Sequence, residues 1–388
     1  MLMKLFLHRQ HLKKILLTTT IATASIMTSA CSSGGSGGSV APTYKYPSCV
    51  LIDNDYDIDD MMAIPLVIGN KHVAAIIQSE GYTLPESSAP AITALVNNLS
   101  DQPNQRKIPI IVGGQQTLSP DISQWPWLQF FRSMMNLSNG LLTAVPTPAA
   151  NNPAYPQQVV NALNECAKVS VLIIGTYTSF INYSSLIRDK IDKVVIMGQS
   201  IDDSSRTPGR ESFNCRYDFP ACQQAMGQLQ GLNSFFVDIP RFDDCHGTAN
   251  PPSHCYNPSY EMVAGNNNVG GLLNTGLPGQ LKQALMNNIQ CSAFYTTPET
   301  IGNPCSSLST WVPADVYSGP GGEMLLWDET AALFLLHPEI FSLYYPSNPE
   351  IPGGLHYEPT LINESYGQTI QNLRRLWTED TNRAESYR

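Results

Sequence analysis

The stretch Asp53-Asn54-Asp55-Tyr56-Asp57-Ile58-Asp59-Asp60 sets five carboxylates within eight positions, between two apolar runs. Cys49-Val50-Leu51-Ile52 before it reads as a buried strand, and Met61-Met62-Ala63-Ile64 after it as the start of a helix. Carboxylates held a few ångströms apart repel one another, so they take up protons, fan into water or share a cation. A solvated acidic loop is one reading. Helix capping is another, since the dipole of a helix start favours Asp, although a cap needs one Asp and not five. A calcium loop of EF-hand type is a third. Counted from Asp53 the acids fall at its first, third and fifth positions, but Ile58 stands where that loop needs Gly and Ile64 where it needs Glu.

The elements around the cluster decide where it sits. Apolar runs at 49–53, 73–79, 108–112, 169–175, 193–198 and 234–239 read as strands. The amphipathic stretches 59–70, 87–99, 155–167 and 178–190 read as helices between them. Continuous apolar strands separated by helices predict an α/β fold: a single large domain with a mostly parallel sheet and helices on both faces. In such a sheet, ligands bind beyond the carboxyl ends of the strands. The acid cluster follows a strand directly, so it belongs at that edge. Two irregular stretches, 241–275 and 290–322, are rich in Asn, Gly and Pro and read as lid or substrate loops. His246 and His254 lie in the first of them and reach the site only if it folds over; otherwise they are surface residues.

Of the 388 residues, 42% are apolar, enough for a sizeable core, and only 14% are charged. The net charge of −10 argues against nucleic acid as a partner. Lys4, Arg9, Lys13 and Lys14 precede a short apolar stretch, Ile15 to Met27, too short to span a bilayer. Thr28-Ser29-Ala30-Cys31 then resembles the lipobox of bacterial lipoproteins, with Thr28 where that motif usually carries Leu. Residues 1–31 are therefore expected to be a signal peptide with a lipobox-like cleavage site, 32–48 a flexible linker, and 49–388 the folded domain. That resemblance implies a lipid anchor on Cys31 as the sole membrane contact, in the periplasm or on the outer membrane; an ordinary signal peptide cut after Ala30 is the alternative. Nine Cys leave an even number once Cys31 is set aside, which suits disulfides in an oxidising compartment. Short loops favour Cys215–Cys222, Cys245–Cys255 and Cys291–Cys305, leaving Cys49 with Cys166.

The acid cluster also resembles the strand-end signature of nucleoside hydrolases, Asp-x-Asp-Pro-Gly-x-Asp-Asp. Asp53, Asp55, Asp59 and Asp60 match it, while Tyr56 and Asp57 replace Pro and Gly. Further patches are similar in order: Ile108–Leu118, Ile174–Ser179, Val194–Gly198 with Glu211–Asp218, and 325–341 with Asp328 opening a helix. The resemblance implies a nucleoside hydrolase-like fold and cleavage of the N-glycosidic bond of ribonucleosides with bound Ca²⁺. By the same resemblance, Asp55, Asp60 and Asp328 carboxylates and the Ile174 carbonyl would hold the ion, and Asp55 would act as general base. Asp59 would bind ribose hydroxyls, with Asn214 and Glu211 on the other side of the sugar. Asp53 would orient the ligands from behind, and Asp57 is a solvent-facing acid or an added ion contact. Two departures stand out. Trp327 replaces a His found in some members, and Tyr82 follows Gly81 where the family carries Asn on the sugar. Trp327 either stacks on the base or is a core aromatic. The alternative function is a calcium-bearing nucleoside- or sugar-binding lipoprotein without efficient turnover. The preferred base and any homo-oligomer stay open.

Overall fold

A computed structural model describes residues 43–98, 107–115, 152–198, 213–237, 327–344 and 354–358, with positions 372, 375, 376, 379, 380 and 383. In chain order the elements are β1 (Tyr46–Asn54), α1 (Ile58–Asn70), β2 (Val73–Gln78), α2 (Pro85–Asn98) and β3 (Ile110–Val112). Then follow α3 (Tyr155–Ala162), β4 (Cys166–Ile173), α4 (Phe180–Ile187), β5 (Ile191–Met197), α5 (Phe213–Tyr217), α6 (Phe219–Leu229) and β6 (Ser234–Val237). The last are α7 (Trp327–Leu336), β7 (Ser342–Tyr344) and β8 (Leu355–Glu358).

The strands form one eight-stranded sheet in the order β3-β2-β1-β4-β5-β6-β8-β7. Every neighbouring pair is parallel except β7 with β8. The expected α/β fold with a mostly parallel sheet is what forms. Successive residues of β1 point to opposite faces. Val50 and Ile52 join Ile64, Val67, Ile92 and Phe334 under α1, α2 and α7. Cys49 and Leu51 join Val159, Phe180, Tyr183 and Leu229 under α3, α4 and α6. Helices thus cover both faces, and each large aliphatic side chain buried this way contributes roughly 1.5–3 kcal/mol.

All six expected strands are present, with shifted ends. β1 starts at Tyr46 rather than Cys49, because Tyr46 pairs with Cys166 on β4. The helix expected over 155–167 stops at Ala162, since the sheet takes Cys166 into β4. β7 and β8 carry no continuous apolar run and were not visible as strands in the sequence. Cys49–Cys166 and Cys215–Cys222 are disulfides as expected; the other two expected pairs lie outside the described residues. Towards the chain end, Asp380 Oδ2 accepts from His337 Nε2 at 2.8 Å, and Arg383 donates to Asn70 Oδ1 at 2.7 Å, clasping the far ends of α7 and α1. Among the described residues no helix is long and apolar enough to cross a membrane.

Candidate active site

β1 lies between β2 and β4, and its carboxyl end carries Asp53 and Asn54, with Asp55 directly after it. Asp53 is in register with Ile77 on one side and Ile173 on the other. Its carbonyl accepts from the N–H groups of Ile174 at 2.8 Å and Gly175 at 3.1 Å. The two chains leave the sheet so close together that a Cβ on Gly175 would stand 2.5 Å from the Asn54 carbonyl carbon. Only glycine fits there.

Asp53 points under the site. It is fully buried, accepts from Ser79 Oγ at 2.5 Å and from the Tyr183 hydroxyl at 3.0 Å. Ser79 Oγ also meets Ser179 Oγ at 2.5 Å, and Ser179 Oγ accepts from Gly114 N at 2.7 Å. This network binds β1, β2 and the starts of the loops after β3 and β4 to one another. Burial pushes the Asp53 carboxyl up to about 7 despite those donors.

Asp55 is 1% exposed. Its Oδ2 accepts from Tyr82 N at 2.8 Å, and its carbonyl accepts from Thr83 Oγ1 at 2.5 Å. The β2–α2 loop therefore grips Asp55 at both ends. Gly81 makes the grip possible, because a Cβ there would fall 2.0 Å from Asp55 Oδ2. Burial lifts the Asp55 carboxyl to about 7, while the Tyr82 N–H and a hydrogen bond with Asp60 pull the other way.

The turn after Asp55 departs from a Pro-Gly turn in a specific manner. Tyr56 has φ 58°, left-handed backbone that a bulky residue rarely adopts. Its ring is fully buried in the core beneath α1, which holds the conformation in place. The Asp57 N–H donates to Asp60 Oδ2 at 2.7 Å, the return half of a capping box at the start of α1. The capping reading of the cluster is thus correct for one oxygen of Asp60. Asp57 itself is half-buried rather than open to solvent.

Among the described residues, no N–H or O–H donor reaches Asp60 Oδ1 or Asp328 Oδ1, and both atoms are buried. The first turns of α1 and α7 face each other, and Asp328 N donates to Asp59 Oδ2 at 3.2 Å. Burial, and then the charges of Asp55 and Asp59, push the Asp60 carboxyl well above the usual range. Burial, then Asp59, Asp60 and Asp55, do the same to Asp328. Asp55, Asp59, Asp60 and Asp328, far apart in sequence, are brought together as one repelling group.

The remaining expected residues divide. Asn214, buried on α5, donates through Nδ2 to the Ile174 carbonyl at 2.9 Å. Asp218 accepts from Thr178 Oγ1 at 2.7 Å and caps α6 through Ala221 N at 3.2 Å. Tyr82 is half-buried, with its ring 4.1 Å from that of Phe213 between centroids. Tyr217 donates to Glu80 Oε1 at 2.5 Å behind them. Trp327 opens α7; its side chain and all of Glu211 lie outside the described residues, as do His246 and His254. Sequence reasoning missed Ser79, Thr83, Ser179 and Tyr183, whose types are common in any loop or helix. It also missed Glu329, fully buried beside Asp328; the doublet Asp328-Glu329, repeating Asp59-Asp60 at a helix start, was the available signal.

Oxygen donors, buried and in part unpartnered, are the type a hard divalent cation takes. They fit such an ion by chemistry. Among the described residues, however, no three acidic, His or Cys side chains converge into a finished cage.

An open parallel sheet that gathers carboxylates where β1 ends and two helices begin is the site of an α/β enzyme acting on a small polar ligand. The family model for inosine-uridine preferring nucleoside hydrolase matches residues 50–385, and the chain belongs to that family. By class it is a ribonucleoside N-glycosyl hydrolase. Solved structures share the fold at low identity. A purine-preferring ribonucleoside hydrolase from Gardnerella vaginalis is 14% identical at TM-score 0.56, over 87% of this chain and 99% of that one. An inosine-uridine preferring nucleoside hydrolase from Bacillus anthracis is 13% identical at 0.51, over 86% and 99%. The type III effector protein XopQ, complexed with adenosine diphosphate ribose, is 12% identical at 0.51, over 88% and 94%. No curated protein matches significantly.

Proposed function

We propose that this protein hydrolyses the N-glycosidic bond of ribonucleosides at the acid cluster, with Ca²⁺ held by Asp55, Asp60 and Asp328 and by the Ile174 carbonyl. The observation that carries this is the set of bare, buried carboxylate oxygens on Asp60 and Asp328 beside Asp55. Bound there, the ion would offset the mutual repulsion of the acids and make a neighbouring water more acidic. Asp55 is the general base. Tyr82 N–H fixes its Oδ2, leaving Oδ1 to take the proton of the attacking water. Asp59 accepts from ribose hydroxyls at the mouth of α1. Asn214 and Glu211 hold the other side of the sugar. Negative charge around the ring stabilises the oxocarbenium-like state through which such bonds break. Tyr82 and Trp327 offer aromatic surface to the departing base. Asp53 keeps the end of β1 in place from below.

The substrate reading is tested by incubating the full chain with a panel of purine and pyrimidine ribonucleosides and measuring free ribose. Release from at least one is expected. No release by a folded, calcium-loaded sample would leave the second reading, a nucleoside- or ribose-binding protein with little turnover. Tyr82 standing where the family carries Asn favours that second reading, and calorimetric binding without release would identify it.

Export is part of the proposal, with a lipid on Cys31 as the anchor. Two disulfides within the fold support an oxidising compartment. Incorporation of labelled palmitate that disappears in Cys31→Ser tests the anchor; equal label in both would refute it.

A further inference from the structure

The β2–α2 loop holds Asp55, and Glu80 holds the loop. Tyr82 N donates to Asp55 Oδ2 at 2.8 Å, and Thr83 donates to the Asp55 carbonyl through N at 3.2 Å and Oγ1 at 2.5 Å. Glu80 stands just before these residues, and its polar groups reach three other segments. Its N–H donates to the Gly114 carbonyl at 3.0 Å, after β3. Its carbonyl accepts from Thr176 Oγ1 at 2.6 Å, after β4. Its Oε1 accepts from the Tyr217 hydroxyl at 2.5 Å, on α5. Both side chains are buried, Glu80 at 9% exposure and Tyr217 at 1%. Tyr217 comes three residues after Asn214 on α5, so the two lie within one helical turn. The Tyr217 ring is 5.4 Å from that of Phe213, and the Phe213 ring 4.1 Å from that of Tyr82. A closed circuit therefore runs from Tyr82 through Phe213 and Tyr217 to Glu80 and back along the loop. One side of it pins Asp55 and the other carries Asn214. Ring packing alone holds two segments together without fixing an angle. A hydrogen bond sets direction as well as distance, and one to a carboxylate is about twice as strong as a neutral one.

We propose that Glu80 is a positioning residue for the hydrolysis: through its bond to the Tyr217 hydroxyl it sets the loop that aims Asp55 against the helix that carries Asn214. The inference rests on the hydrolase reading of this site, in which Asp55 takes a proton and Asn214 holds the sugar. Glu80 acts through Tyr82 on one and through Tyr217 on the other. The base and the sugar-binding amide come from elements remote in sequence, and this carboxylate–phenol contact fixes their spacing before substrate arrives.

The test is a double-mutant cycle on ribose release from an accepted nucleoside, with wild type, Tyr217→Phe, Glu80→Ala and the double variant, and with Glu80→Gln as the conservative control. Hydrogen exchange of residues 79–83 is followed in each. All these changes keep the backbone bonds of Glu80 and alter only the contact in question. Tyr217→Phe and Glu80→Ala should each lower kcat on the order of 10- to 100-fold, by a larger factor than they raise KM, and should speed exchange in 79–83. The double variant should be no slower than the worse single one, since both remove one contact. Glu80→Gln keeps an oxygen acceptor for the phenol and should recover most of the rate; with Tyr217→Phe it carries the comparison if Glu80→Ala does not fold. A folded Tyr217→Phe with kcat within a factor of ~2 of wild type, losses that multiply in the double variant, or unchanged exchange in 79–83 would overturn the inference and leave the hydrolase reading standing. No release by wild type from any nucleoside would overturn the hydrolase reading itself, and the inference with it.

Discussion

The side-chain amide of Asn214 donates to the carbonyl oxygen of Ile174 at 2.9 Å. The residue proposed for the sugar and the oxygen proposed for the ion are thus in direct contact. A carbonyl has two lone pairs, so one serves Asn214 and one remains for a cation. The bond ties α5 to the loop after β4, and with the proposed roles it would couple sugar binding to ion binding. Asn214→Ala should raise KM and weaken Ca²⁺ binding together, while lowering stability by about 1 kcal/mol. Kinetics and calorimetry on one preparation check this. A raised KM with unchanged Ca²⁺ affinity would break the coupling.

Gly81 gives Asp55 its room. A Cβ at Gly81 would lie 2.0 Å from Asp55 Oδ2, and that oxygen is pinned by the Tyr82 N–H. Gly81→Ala must therefore displace the carboxylate. Turnover should drop by on the order of 100-fold, the cost of a misplaced catalytic group, with a smaller change in the melting midpoint. Turnover within a factor of ~2 of wild type would show that Asp55 is not the base.

Burial raises the folded-state pKa of Asp53 and Asp55 from 3.8 to about 7. The folded protein then keeps protons that the unfolded chain has released. The stability these groups contribute is complete below about pH 4 and is lost as pH rises to about 7. An ion needs the charged carboxylates, so its binding releases protons and strengthens across that same window. Melting midpoints measured with chelator and with excess Ca²⁺ should separate progressively from pH ~4 to ~7. Parallel curves would contradict the account.

The two disulfides should differ in what they protect. Cys49–Cys166 joins the early parts of β1 and β4, away from the site, and spans 117 residues. Removing it should cost roughly 4–5 kcal/mol on a chain-entropy account and leave KM alone. Cys215–Cys222 spans 7 residues and begins directly after Asn214. Its removal should cost only about 2 kcal/mol yet raise KM, because it fixes the segment carrying Asn214 and Phe213. Paired Cys→Ser variants, followed by denaturant melts and kinetics, separate the two effects.

Strand runs such as Val50-Leu51-Ile52 and Val194-Val195-Ile196 are apolar on both faces, and this buried-sheet pattern is readable without coordinates. The acid cluster was readable for the same reason: charge crowded at the mouth of a core has few explanations. Asp328 was legible only through resemblance, because its partners Asp59 and Asp60 are remote in sequence. The contact of Asn214 with Ile174 was not legible, since it depends on where α5 meets the loop after β4. Nor was the left-handed Tyr56. Propensity disfavours it, and the burial of its ring under α1 decides the matter. β7 and β8 are too short for a period, and only pairing with β6 and with each other makes them strands.

The most direct measurement is the initial rate of ribose release from an accepted nucleoside as Ca²⁺ is returned to chelator-stripped protein, for wild type and Asp55→Asn side by side. Wild type should rise from near zero to a plateau with added Ca²⁺. Asp55→Asn, which keeps the contact to Tyr82 N–H but cannot take a proton, should stay about 10²–10⁴-fold lower at saturating Ca²⁺. Release that is independent of Ca²⁺, or equal in the two proteins, would contradict the account.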